Sequence, residues 1–108
     1  MKDVMYVIKL NRFKVMLYFE ATNIEELEVE AQKRAHEVSV AVIKSVIEAL
    51  EKDVDKVVIG VLTSLDMDLS VERAGFLQSL ETNLVRCEEA EEYELCKEAI
   101  KWIKKLRD

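Results

Sequence analysis

The sequence predicts an α+β fold built as a single domain over residues 1–108. Segments with alternating or continuous apolar residues at 4–20 and 54–62 favour β-strands. Apolar residues spaced by three or four positions over 24–52, and again from 70 to the C-terminus, favour helices. Half of the 108 residues are hydrophobic, which is enough to fill one core at this length. We therefore expect more helix than strand.

Residues 4–20 predict a β-hairpin in which Asn11 and Arg12 form the turn between two strands. Asparagine tolerates the left-handed conformation that a two-residue hairpin turn requires. The second strand alternates with period two, as strands do when one face is buried. The residues that share this face are Phe13, Val15, Leu17 and Phe19. The opposite face is also largely apolar, so we expect a helix or a second subunit to cover part of it.

The segment from about residue 24 to 52 predicts one long amphipathic helix. Thr22 or Asn23 is placed to act as its N-cap, and two glutamates follow in the first turn. The apolar stripe comprises Ile24, Leu27, Ala31, Ala35, Val38, Val42, Val46 and Ala49. Such a helix is ~43 Å long at 1.5 Å per residue, which exceeds the width of a compact chain of this size. A bend, or a helix shared across a dimer, would resolve the excess. A strand over 37–43 is the alternative because that stretch is rich in β-branched residues.

Residues 54–62 form a near-continuous apolar run that is typical of a buried strand. Gly60 inside it indicates a bulge or the close approach of another backbone. With the N-terminal hairpin, this single further strand makes a small, mainly antiparallel sheet packed by the long helix. Asp66-Met67-Asp68 is interpreted as a loop, and Ser70 as the N-cap of the second helical region.

The C-terminal region carries two helical stripes separated by the glutamate-rich segment 88–92. We expect an antiparallel helical hairpin that turns near residues 90–92, and one continuous helix is the alternative. The first stripe comprises Val71, Ala74, Leu77, Leu80, Leu84 and Cys87. The second stripe comprises Tyr93, Cys96, Ala99, Ile100, Ile103 and Leu106.

Residues 77–106 resemble the UVR motif, the helical hairpin through which subunits of the bacterial excision-repair nuclease associate. The matching residues are Leu80, Leu84, Cys87, Tyr93, Glu94, Cys96, Ala99, Ile103 and Leu106. The Leu-Arg-Asp step of that motif is replaced by Ala99-Ile100-Lys101. The resemblance covers less than a third of the chain, and it implies a protein–protein contact at this hairpin.

Composition bounds the classes of function. The net charge of −6 argues against binding to a phosphate backbone, so a nucleic-acid partner is not expected. No apolar run approaches the ~20 residues of a membrane span, and Met1–Val4 do not begin a signal peptide, so we expect a cytoplasmic protein without a membrane partner. Cys87 and Cys96 are then expected to be reduced, and a disulfide requires the chain to fold back between them.

No catalytic set, metal site or cofactor site is evident from the sequence, and none is predicted. His36 is the single histidine, and no nucleophile or orienting group lies near it in sequence. Asp66 and Asp68 supply hard oxygen ligands, although capping of a following helix explains the same residues. A metal-dependent enzyme or nucleic-acid-processing factor using Asp66, Asp68 and His36 is the alternative function.

The leading expectation is a small, non-enzymatic protein-interaction or regulatory protein that self-associates as a homodimer. The candidate interface residues are Trp102, Tyr93, Glu88, Glu89, Glu91 and Glu92. An aromatic side chain near the edge of a core is a frequent anchor of protein interfaces. The glutamates form the densest charge patch of the chain and could bind a basic partner.

Overall fold

The structure is a computed structural model that describes residues 17–108, and the predicted hairpin at 4–20 therefore lies outside the described residues except for its final positions. The elements, in order, are β1 (Leu17–Phe19), α1 (Ile24–Lys33), α2 (Ala35–Lys52), β2 (Lys56–Leu62), β3 (Met67–Glu72), α3 (Phe76–Glu89) and α4 (Tyr93–Arg107). Short 3-10 turns at Thr63–Leu65 and Arg73–Gly75 flank β3. The α+β class is confirmed.

The three described strands form a mixed sheet in the order β1-β2-β3. β1 runs parallel to β2, with Leu17 opposite Gly60 and Phe19 opposite Leu62. β3 runs antiparallel to β2. A parallel neighbour requires a long crossover connection, and α1 with α2 supplies it. The sheet predicted from the sequence was mainly antiparallel, so the parallel β1–β2 pair is an unforeseen feature.

β3 corrects two sequence expectations. Asp68 lies within a strand and not in a loop, and Ser70 pairs with Val58 in the ladder and does not cap a helix. The sheet therefore has two strands after the N-terminal region, where one was predicted. The apolar residues Met67, Leu69 and Val71 alternate with polar ones, which is the period-two pattern of a half-buried strand.

The predicted long helix is divided at Arg34. Asn23 is confirmed as the N-cap of α1, and its Oδ1 accepts a hydrogen bond from the amide of Glu26 at 2.9 Å. At Arg34 the backbone leaves the helical region (φ −114°, ψ 34°) before α2 begins. The bend thus shortens the longest helix to 18 residues, about 27 Å. Residues 37–43 lie in α2, which excludes the strand alternative.

Residues of α2 supply much of the buried core, and α2 packs against β2, α3 and α4. Ile43 and Val46 are fully enclosed, as are Leu80 of α3 and Ala99 of α4. A second, smaller cluster surrounds Leu17, Phe19 and Leu62 at the β1 side of the sheet. The long apolar helix therefore organises the domain by packing against both the sheet and the C-terminal helices.

The C-terminal helices form the predicted hairpin-like pair, which excludes one continuous helix. Glu91 adopts a left-handed conformation (φ 61°) that reverses the chain between them. The amide of Glu92 donates to the carbonyl of Cys87 at 3.2 Å, which closes the end of α3. Over residues 17–108, the structure contains no helix that is both long and apolar enough to cross a bilayer.

Candidate functional site

The turn between α3 and α4 presents the densest group of exposed carboxylates. We name Glu88, Glu89, Glu91, Glu92 and Glu94 the acidic turn. All five are exposed, and five of the seven residues in 88–94 are glutamate. The helix ends and the left-handed Glu91 hold these side chains together at one end of the hairpin, where their charges add.

An open cleft of about 270 Å³ lies between the acidic turn and the first half of α2. We name it the turn cleft. Its lining residues are His36, Glu37, Val40, Ala41, Lys44, Ala90 and Glu92. Val40, Ala41 and Ala90 supply an apolar surface, and the charged side chains stand around it. Such a cleft can take an apolar side chain whose neighbours are charged.

His36 contacts the acidic turn across this region. Its Nε2 lies 3.1 Å from Glu89 Oε1, and both side chains are more than half exposed. The contact joins the start of α2 to the end of α3. His36 therefore lies at the cleft, a position that sequence spacing could not indicate because 53 residues separate it from Glu89.

The structure does not bring the three residues of the alternative function into one metal-binding group. Asp66 precedes β3 in a left-handed conformation (φ 52°), and Asp68 lies on β3 with an exposed side chain. His36 lies on α2 at the turn cleft. Among residues 17–108, no group of three or more His, Cys, Asp and Glu side chains is placed to hold a metal ion.

The two aromatic candidates lie on α4 in different environments. Tyr93 is 61% exposed at the first position of α4, between Glu92 and Glu94 of the acidic turn. Trp102 is half-buried against the main core, and Lys105 Nζ stands 4.6 Å from the centre of its ring. Tyr93 is therefore the more accessible aromatic side chain for a partner.

The outer face of α4 is a feature that the sequence analysis missed. Tyr93, Lys97, Ile100 and Lys104 follow steps of four, three and four, so they lie along one stripe of the helix. We name these four residues the α4 stripe. Tyr93 and Ile100 belong to the apolar stripe predicted for this helix, but they are 61% and 39% exposed, so that stripe is only partly buried. The alternation of apolar and lysine residues at helical spacing was the signal available in the sequence.

The cysteines are enclosed at the hairpin and not at the cleft. Cys87 and Cys96 are both free and buried, on α3 and α4 respectively. Burial and the neighbouring Cys96 raise the pKa of the Cys87 thiol to about 12. The Cys87 thiol is therefore protonated at neutral pH and is a poor nucleophile.

Comparison with protein-family models, with curated proteins and with solved structures finds no match to this chain. The surface of the hairpin therefore provides the observations that bear on function. That surface offers a carboxylate cluster, an apolar cleft, an exposed tyrosine and a mixed apolar and basic stripe. These are features of binding surfaces.

Proposed function

We propose that this chain is a small, non-enzymatic protein-interaction or regulatory protein that binds its partner at the acidic turn and the turn cleft. The observation that carries the proposal is the position of an open apolar cleft beside five exposed glutamates. An apolar anchor surrounded by charged residues is the usual organisation of a protein interface.

The charge of this surface indicates the chemistry of the partner. Glu37 and Glu92 line the cleft, and Glu92 joins it to the exposed glutamates of the acidic turn. Lys44 only partly offsets them. We therefore propose a partner segment that inserts an apolar side chain into the cleft and places lysine or arginine residues against the glutamates.

The resemblance of residues 77–106 to the UVR motif is in keeping with this proposal. That motif is a helical hairpin that associates with other proteins, and residues 76–107 contain two helices joined by a short turn. A contact of the UVR type at this hairpin is part of the proposal. The homodimer expected from the sequence is a second part of the proposal.

The proposal is tested by filling the cleft without changing its charge. In Ala90→Phe, a benzyl group replaces the methyl group of a cleft-lining residue and occupies the space for a partner's anchor. Val85→Phe is the matched control, because Val85 is 59% exposed on α3 and does not line the cleft. The tagged wild-type chain and both variants would be used to capture proteins from lysate of the source, and bound proteins would be quantified by mass spectrometry.

We expect at least one protein to bind the wild type and Val85→Phe stoichiometrically. The affinity of that protein for Ala90→Phe should be lower by about tenfold or more, which corresponds to losing ~1.4 kcal/mol of contact energy. Circular dichroism of each variant establishes that the helices are retained. Equal capture by Ala90→Phe and the wild type would overturn the proposed use of the cleft. The absence of any stoichiometric protein would overturn the proposed binding function.

The metal-dependent alternative requires Asp66, Asp68 and His36 to act together. Titration of the chain with magnesium, manganese and zinc by calorimetry distinguishes it from the binding function. A heat of binding that disappears in Asp68→Asn would favour the alternative. We expect no heat of metal binding from the wild-type chain.

A further inference from the structure

The hairpin of α3 and α4 carries a group of negative residues and a group of positive residues in separate parts of its sequence. Five glutamates lie between residues 88 and 94, and five basic residues lie between 97 and 107 with Glu98 as the one acid among them. The basic residues are Lys97, Lys101, Lys104, Lys105 and Arg107. Residues 88–94 are therefore negative and residues 97–107 are positive, although the whole chain is acidic.

Several of these charged side chains form no ion pair with another residue in 17–108. Among the residues that the structure describes, Glu91 and Glu92 form no ion pair, and neither does Lys104. Lys101 Nζ lies 3.5 Å from Glu98 Oε2, and Lys97 Nζ lies 3.7 Å from Glu94 Oε2. Neither lysine has another ion-pair partner in the part of the chain that the structure describes. Exposed pairs at such distances contribute little, so these lysines are available to a second molecule.

The α4 stripe has the chemistry proposed above for the partner of the acidic turn. Tyr93 and Ile100 supply apolar side chains, and Lys97 and Lys104 supply adjacent positive charge. The stripe faces solvent, away from Cys96, Ala99 and Ile103, which are buried against the core. The chain thus carries both an acidic surface and its basic, apolar complement.

We propose that a second copy of this chain binds along the outer face of α4, with the two α4 helices antiparallel. In that orientation the acidic turn of each copy, with Tyr93, lies against the Lys101 and Lys104 end of the other, and Ile100 lies between the charged ends. The contact is isologous, the commonest form of homodimer, because both copies use the same surface. The inference rests on the proposed function, since it names a partner for the same acidic turn.

Charge selects the antiparallel arrangement over the parallel one. Parallel helices would place Glu91 and Glu92 of one copy against the same residues of the other, and like charges in contact are destabilising. Antiparallel helices pair opposite charges at both ends and also oppose the two helix dipoles favourably. The charged ends are exposed, so the association should weaken as salt screens them.

Sedimentation of the full chain tests this inference with paired charge reversals. The first variant, Glu91→Lys with Glu92→Lys, cancels most of the negative charge of the acidic turn. The second, Lys101→Glu with Lys104→Glu, cancels the net positive charge of residues 97–107. The matched control is Glu25→Lys with Glu28→Lys, which reverses two exposed glutamates on α1. Thermal melts establish that each variant is folded.

We expect the wild type and the α1 control to form dimers whose dissociation constant rises about tenfold or more between about 50 mM and about 500 mM NaCl. Each α4 variant alone should be monomeric under the same conditions. An equimolar mixture of the two α4 variants should form a heterodimer, because opposite charges then meet at both ends. Zero-length carbodiimide cross-linking of the wild type should join Glu91 or Glu92 of one copy to Lys101 or Lys104 of the other.

A monomeric wild type at all concentrations, or a mixture of the two variants that does not pair, would overturn the inference. Dimers that persist in both single variants would also overturn it, because they would use another surface. If the wild type is monomeric while Ala90→Phe still loses its captured protein, the self-association fails and the proposed function stands. If the dimer forms and no other protein is captured from the lysate, the proposed partner at the turn cleft fails and the self-association stands.

Discussion

Gly60 lies opposite Leu17 at a close approach of the parallel strands β1 and β2. A Cβ atom added there would lie 2.8 Å from the carbonyl oxygen of Leu17, and 3.1 Å from its Cβ. The first of these atoms is backbone and cannot rotate away. The ladder between β2 and β3 also shifts register between Val58 and Gly60. The sequence prediction of a bulge or a close backbone at Gly60 is thus confirmed in both parts.

Gly60→Ala should destabilise the fold by about 1–3 kcal/mol, because the added methyl group forces β1 away from β2. Gly75→Ala is the matched control, since its nearest non-neighbouring atom would be Val71 Cγ1 at the ordinary contact distance of 3.5 Å. Urea denaturation monitored by tryptophan fluorescence measures both variants. Equal midpoints for Gly60→Ala and the wild type would contradict the close β1–β2 contact.

At the scale of elements, the break between α1 and α2 shows how a distant contact ends a helix. Arg34 Nη1 donates to the carbonyl of Tyr18 at 2.8 Å, and its guanidinium lies 4.9 Å from the centre of the Phe19 ring. Two further hydrogen bonds join Arg34 to Glu37, at 2.9 and 3.0 Å. These contacts attach the bend to β1. The hydrogen bonds between Arg34 and Glu37 raise the pKa of Arg34 and lower the pKa of Glu37.

Arg34→Met should reduce the free energy of unfolding by on the order of 1–2 kcal/mol at neutral pH, because the carbonyl of Tyr18 loses a charged donor. Lys33→Met, an exposed neighbour in α1, should have little effect.

Glu37 has a lowered pKa in the folded state, so the contribution of its pair with Arg34 is present above about pH 4.5 and is lost as the pH falls through the folded pKa. The difference between the wild type and Arg34→Met should therefore shrink in acid. Denaturation curves at pH 7 and pH 3 measure it, and a difference that grows in acid would contradict the assignment.

Elements with local signals were predictable, and elements defined by distant contacts were not. The Asn23 cap and the reversal near residues 90–92 follow from nearby residues alone. β3 also had a local signal in the alternation of Met67, Leu69 and Val71, but Asp66 and Asp68 favoured a loop. Neither the bend at Arg34 nor the parallel direction of β1 has such a signal, because both depend on residues at least 16 positions away.

At the scale of the whole molecule, the distribution of charge is more informative than its total. A net charge of −6 indicates only an acidic surface. The α3–α4 hairpin, however, places glutamates around its turn and lysines farther along α4. The acidic turn and Tyr93 could be identified as interface candidates from sequence. The turn cleft could not, because it forms only where α2 meets the turn, and His36 reaches Glu89 across 53 residues.

The central claim is that a second copy of this chain binds along the outer face of α4 and the acidic turn. Amide NMR spectra of the ¹⁵N-labelled chain, recorded over a range of protein concentrations at low salt, test it most directly. We predict that concentration-dependent shift changes are confined to residues 88–107 and that they vanish at high salt. Shift changes centred on α1 or on β3, or spectra that do not change with concentration, would contradict the claim.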